Sequence, residues 1–175
     1  TYSVAPVPAP TTAPPAAPGG ALVRALGGNA NCRGAIALNG TAAGDTSAAT
    51  SVYGNVAPDH FYSFEVTAAM AECPTPTFAF DTCGSDFDTW LRVLDAATGA
   101  ELASCDDCGD CGTRSILPLP APLAAGSYVV LVEGYAAHGG AYALRFRGPT
   151  DVACTQQPTP SPTLAPSVVG RHHTR

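Results

Sequence analysis

Ten of the chain's 17 prolines fall in two terminal stretches, and they decide where a core can form. Pro6, Pro8, Pro10, Pro14, Pro15 and Pro18 stand in a leading segment, 1–18, that carries no charged residue. Pro158, Pro160, Pro162 and Pro166 alternate with Thr, Ser and Leu-Ala towards the other end. Each ring fixes φ and removes an amide donor, so neither a helix nor a central strand runs through such a segment. Polyproline II is the expected conformation, and a leading arm extended that way reaches about 55 Å at ~3.1 Å per residue. That is well beyond a body of about 120 residues, whose radius of gyration is about 14 Å. The chain therefore divides into a proline-rich arm and linker over 1–30, a folded part over 31–154 and a Ser/Thr/Pro-rich tail over 155–175. The tail has the composition of O-glycosylated stalks.

The folded part reads as short strands separated by turns. His60–Val66 alternates, with Phe61, Ser63 and Glu65 on one face and Tyr62, Phe64 and Val66 on the other. Thr77–Phe80 and Thr89–Leu94 are β-branched and aromatic. Ser127–Glu133 is almost wholly apolar, which suits a strand buried on both faces. Ala141–Arg147 sends Tyr142, Leu144 and Phe146 inward and Arg145 and Arg147 outward. Turns are expected at Ala97–Gly99, Ala125–Gly126 and His138–Gly140. No stretch combines a helical cap with a helical period. The fold class predicted is all-β, an antiparallel jelly-roll or immunoglobulin-like sandwich with extended proline-rich tails.

Seven cysteines, Cys32, Cys73, Cys83, Cys105, Cys108, Cys111 and Cys154, point to disulfides and a secreted or surface protein. The odd count leaves one thiol free, paired between chains, or paired beyond this sequence. Cys105, Cys108 and Cys111 at x-x spacing also suggest zinc, but a structural site needs four ligands, so disulfides are the expected reading. Spacing alone does not fix connectivity. Cys83 with one of that trio, and Cys32 with Cys154, are the preferred pairings; the second would tie the two ends of the module together. The net charge of −6 argues against a nucleic-acid partner. No apolar run approaches the ~20 residues of a membrane-spanning helix, so no membrane insertion is expected.

The segment from Asp81 to Asp110 holds eight acids and one arginine. Asp86, Asp88, Asp106, Asp107 and Asp110 offer oxygen ligands to Ca2+, though without an EF-hand spacing. The bland alternative is that these aspartates cap turns and that Asp88 bonds the backbone nearby. No other cofactor is expected. Asn39-Gly40-Thr41 is an N-glycosylation sequon. His60 and His138 are the folded part's histidines, and neither a Gly-x-Ser-x-Gly nor a His-Glu-x-x-His motif accompanies them. No catalytic residue is assigned.

Several ordered pieces resemble the bacterial pre-peptidase C-terminal domain, a jelly-roll-like sandwich. They are Asn31–Leu38, Gly44–Thr50, Asp59-His-Phe-Tyr-Ser-Phe64, Thr82-Cys-Gly-Ser-Asp-Phe-Asp-Thr-Trp-Leu91, Cys105-Asp-Asp107 and Gly126–Gly134. Together they span about two-thirds of the chain. With its extra cysteines and proline-rich flanks, the chain looks more like modules of green-algal surface glycoproteins, including those of mastigonemes. The Thr-Pro, Ser-Pro and Ala-Pro dipeptides resemble those of hydroxyproline-rich wall glycoproteins, which implies that the flanking prolines are hydroxylated and carry sugar. The resemblance implies an accessory module that binds, spaces or assembles, without catalytic machinery.

The expected function is a structural subunit of an extracellular glycosylated filament or surface assembly. Its partners would be further copies of itself and covalent glycans, with head-to-tail contacts through the tails or through a strand such as Ala21–Leu26 or Thr163–Val169 added to a neighbour's sheet edge. The alternative is a glycan- or protein-binding accessory module of a larger secreted protein, with Trp90, Tyr53 and Tyr135 as stacking platforms; core or sheet packing is the competing role for those rings.

Overall fold

A computed structural model describes residues 30–73, 78–120 and 123–149. Within them β1 spans Cys32–Ala35, β2 Thr41–Asp45, β3 His60–Val66, β4 Ala79–Asp81, β5 Thr89–Asp95, β6 Glu101–Asp106, β7 Ile116–Pro118, β8 Gly126–Gly134 and β9 Ala141–Arg147. They form a five-stranded sheet, β1-β3-β8-β5-β6, packed on a four-stranded sheet, β2-β9-β4-β7. The architecture is the all-β sandwich that the alternation predicts. Every pairing is antiparallel except β1 with β3, which is parallel and irregular between Cys32 and Ala35.

The core follows from the period of two along each strand. Tyr62, Phe64, Val66, Leu91, Val93, Val130 and Val132 face inward from the larger sheet, and Phe80, Leu117, Leu144 and Phe146 from the smaller. Phe64 sits edge-on to Phe80 at 4.9 Å and to Phe146 at 5.2 Å, while Phe80 stacks on Phe146 at 4.4 Å. Such pairs add about 0.5–1.5 kcal/mol each beyond the area they bury. The central strand, β8, is buried on both faces, as its unbroken apolar run predicts. Its second face, with Phe61, Leu94 and Ala96, builds a smaller cluster outside the sandwich.

That outer cluster is roofed by the loop between β2 and β3. Val52 and Tyr53 pack down on it. Asp59, fully buried, accepts hydrogen bonds from the Val52 and Tyr53 amides at 2.9 and 3.1 Å and from Asn31 Nδ2 at 3.0 Å. Asn55 Nδ2 adds a bond to the Gly134 carbonyl at 2.8 Å. A buried carboxylate with three donors is well satisfied, although burial still pushes its pKa up against those bonds.

Four elements depart from the sequence-based expectation. A single helical turn, α1, spans Ala68–Ala71; Thr67 caps it by accepting from the Met70 amide at 3.2 Å, and Met70 drops into the core. The other three are β2, β6 and β7, strands that the sequence pattern does not announce. β6 is an exposed edge strand with Cys105 as its buried residue, and β7 has three residues.

The chain runs through the body with a definite polarity. β1 starts level with the start of β3, Cys32 opposite Phe61. β9 begins beside that same end, where the Tyr142 hydroxyl meets His60 Nδ1 at 3.0 Å. It runs to the far end, where Gly148 lies against Leu38 and its amide bonds Asn39 Oδ1 at 3.0 Å. The described body is thus entered at one end and left at the other. Among the described residues, no helix is long and apolar enough to cross a membrane.

Candidate functional site

Three loops meet at the entry end of the sandwich: 82–88, 107–115 and 135–140. Buried hydroxyls join them. Thr82 Oγ1 and Thr89 Oγ1 lie 2.6 Å apart, and the Ser115 amide reaches both, at 3.1 and 3.2 Å. Ser115 Oγ lies 2.7 Å from the Thr89 carbonyl and 3.0 Å from that of Cys105. Ser85 Oγ accepts from the Ala143 amide at 3.2 Å, and Arg114 Nε donates to the Ser85 carbonyl at 2.9 Å. A buried hydroxyl is costly unless bonded, and here each one ties a loop to a strand. The Thr82–Leu91 motif is therefore a scaffold of hydroxyls. The alternative role for Asp88, bonding the backbone nearby, is not filled by its Oδ1, which is buried without a protein partner.

Two disulfides lock these loops. Cys83 bonds Cys111, a member of the trio, and Cys105 bonds Cys108. All three sulfurs of the trio are thereby removed from metal ligation. Cys73 is also disulfide-bonded. Cys32 is a free thiol, which corrects its expected pairing with Cys154. It lies half-buried against the outer cluster, away from the disulfide loops. Cys154 and the ten flanking prolines lie outside the described residues, as do the Ala21–Leu26 and Thr163–Val169 segments.

Of the five aspartates expected to offer ligands, the fold brings three together. Asp88, Asp106 and Asp107 each present an oxygen, all within 4.8 Å of one another; Asp86 and Asp110 do not join them. The cluster forms because Asp88 immediately precedes β5 and Asp106 ends its neighbour β6, and Asp107 turns back with φ 57°. Asp88 Oδ1, Asp106 Oδ1 and the adjacent Trp90 Nε1 are buried without a protein partner. Burial, then the nearby Asp107 and Asp88 charges, push the Asp106 pKa up. Converging, under-bonded carboxylates suit a hard, oxygen-preferring cation, with carbonyls or waters completing its shell.

Beside the aspartates, Trp90 stacks on Tyr135 with centroids 6.3 Å apart, and the Arg92 guanidinium sits 4.5 Å over the indole. Tyr53 lies 6.0 Å from the same guanidinium. Tyr135 is 48% exposed, whereas Trp90 and Tyr53 are half-buried in mutual packing. Arg92 also bonds Glu101 at 2.8 Å and pairs closely with Glu133, a fully buried carboxylate. Gly54, with φ 72°, closes over this pair; a Cβ there would stand 2.8 Å from Arg92 Nε and 2.9 Å from the Glu133 oxygens. The Arg92–Glu133 pair spans 41 positions, and nothing local in the sequence signals it.

The histidines are placed apart. His60 is buried, and its pKa is lowered by burial first and by Arg33 second. Its partner, the Tyr142 hydroxyl, also bonds Tyr62 at 2.8 Å and has its pKa pushed up by burial and then by Tyr62, the reverse of what an activated nucleophile needs. His138 is exposed, with Nδ1 3.7 Å from Asp88 Oδ2. Asn39 lies exposed in the turn before β2 at φ 59°. Its Oδ1 is held by Gly148.

No family model matches the chain, and no curated protein does. Among solved structures, the pre-peptidase C-terminal domain of a collagenase from Bacillus anthracis matches over 67% of this chain and 98% of that one, at 15% identity and a TM-score of 0.39.

Proposed function

We propose that the chain is a non-catalytic structural subunit of an extracellular, glycosylated assembly, joined head-to-tail through its arms. The observation that supports this reading is the polarity of the described body, which the chain enters at one end and leaves at the other. A subunit with contacts at opposite poles forms a heterologous interface, and such an interface makes an open filament when the rotation does not close. The uncharged, donor-poor leading arm supports the same reading, since it is long enough to pass the body's own edge. The exposed Asn39 turn and the flanking prolines would carry the sugar. Negative-stain micrographs and sedimentation of the purified chain should show filaments or long oligomers. A chain lacking residues 1–20 should stay monomeric with an unchanged near-UV spectrum. Filaments that persist without that arm would overturn the reading.

The three converging aspartates favour a second role, Ca2+ binding that stiffens the entry end. Saturating Ca2+ at about 100 times its dissociation constant would add about 2.7 kcal/mol, seen as a rise in melting temperature. Asp106→Asn should abolish the rise. It should also stabilise the metal-free chain at neutral pH, because the crowded carboxylates no longer repel. An identical Ca2+ response in the variant would remove the site.

A further inference from the structure

Past the end of β1 the larger sheet opens into an apolar groove of about 500 Å3, within the ~300–1,000 Å3 range of ligand clefts. Its floor reaches the core at Ile36, Phe64 and Met70; Ala35, Ala37 and Leu38 form its wall. Among the described residues Glu65 is the one charged residue lining it, and that carboxylate is engaged by Ser127 Oγ. β1 is also a sheet edge: among the described residues no strand pairs with its outer side. Exposed edges are usually blunted by charge, proline or cover. β6 carries Glu101 and Asp106, and β2 ends in Asp45. The run Ala35–Leu38 carries neither charge nor proline.

We propose that this groove receives the leading proline-rich arm of a second copy of the chain, residues Val4–Pro10; this rests on the assembly reading and deepens it. The arm and the groove match in three respects. Both are apolar, and the arm carries no charge before Arg24. Polyproline II has three residues per turn, so Val4, Val7 and Pro10 fall on one face of the arm, about 9 Å apart, as a row of apolar knobs. Proline-rich segments bind apolar grooves because their extended form is already set and little entropy is lost on docking. Position argues for a second copy. The groove lies at the end of the body where β3 finishes and Gly148 meets Leu38, while the leading arm joins at the opposite end, before Cys32. In a head-to-tail row of copies, the end where the leading arm joins would face the groove end of the next subunit.

Complementation of full-length chains tests this. Ala37→Glu places a charge in the groove wall at an exposed residue, leaving the core alone; Val7→Asp places one on the arm. Each variant alone should sediment as a monomer at concentrations where the unaltered chain assembles. Their equimolar mixture should give a dimer and nothing longer, because it holds one working arm for one working groove. A mixture that stays monomeric would mean the arm serves its own body, and would overturn the proposal. If the unaltered chain assembles and both variants assemble equally well, the groove is not the contact, while the assembly reading stands. If the unaltered chain never assembles, both fail.

Discussion

Replacing Arg92 by alanine should cost about 3 kcal/mol of stability at neutral pH, the low end of the loss expected when a buried ion pair is broken from one side. Glu133 is fully buried, and its second oxygen, Oε2, already lacks a partner. Removing the guanidinium would leave the carboxylate without its charged partner under Gly54, with the Asn55 backbone as its remaining support. The low end applies because the Arg92 side chain is 11% exposed, so some water can enter. The pH dependence identifies the cause. Burial raises the Glu133 pKa above its ordinary value even with Arg92 countering, and without Arg92 it should rise further. A carboxyl whose folded pKa exceeds its unfolded one binds its proton more tightly when folded, so lowering the pH towards the unfolded value favours the fold. The deficit of Arg92→Ala should therefore be largest at about pH 7–8 and shrink on acidification towards about pH 5. Urea midpoints across that range measure it. A deficit independent of pH would mean that Arg92 matters for packing on Trp90 and not for charge. Arg92→Met combined with Glu133→Leu should recover most of the loss.

The second large effect is the removal of the Cys83–Cys111 disulfide. It spans 28 positions, and the chain-entropy relation gives about 3.5 kcal/mol for a loop of that size. The Cys105–Cys108 bridge spans 3 positions and by the same relation contributes about 1.5 kcal/mol. Cys83→Ser/Cys111→Ser should therefore lower the melting temperature by roughly 10 °C for a domain of this size, and Cys105→Ser/Cys108→Ser by less than half of that. Cys32→Ala, which breaks no bridge, should change stability by less than about 1 kcal/mol. A reversed order of the two bridges would show that the short one acts through native geometry at the aspartate loop, outside the entropic account.

The sandwich is legible in the sequence where side-chain alternation or a continuous apolar run declares a strand. β3, β8 and β9 carry that signal because each has at least three large side chains on the core face. β6 does not, since Glu101, Ser104 and Asp106 point to solvent or to charged partners on an edge that buries little. β7 is too short for a period, and α1 has one turn and four residues, so its Thr67 cap stands without the repeat that would announce a helix. The outer cluster is invisible for a different reason. Phe61 and Leu94 sit on the face that alternation assigns to solvent, and only the folded-back loop under Asp59 encloses them. The candidate cation site is partly legible: acid density points to the segment, but only the β5–β6 register selects Asp88, Asp106 and Asp107 from the five. The free state of Cys32 depends on three-dimensional distance, which spacing does not encode.

The body's opposite-ended entry and exit also fix how it would bear a pull. Tension applied through the two arms is directed along the strands. The β1–β3 ladder, parallel though irregular between Cys32 and Ala35, would then be loaded in shear, since its slanted bonds lie between strands pulled past each other. An antiparallel hairpin pulled from its open end yields one rung after another. A string of such bodies would give way by sliding of the first strand, at the sheet edge farthest from the Cys105–Cys108 bridge on β6, and the stapled loops would remain intact after the link had failed.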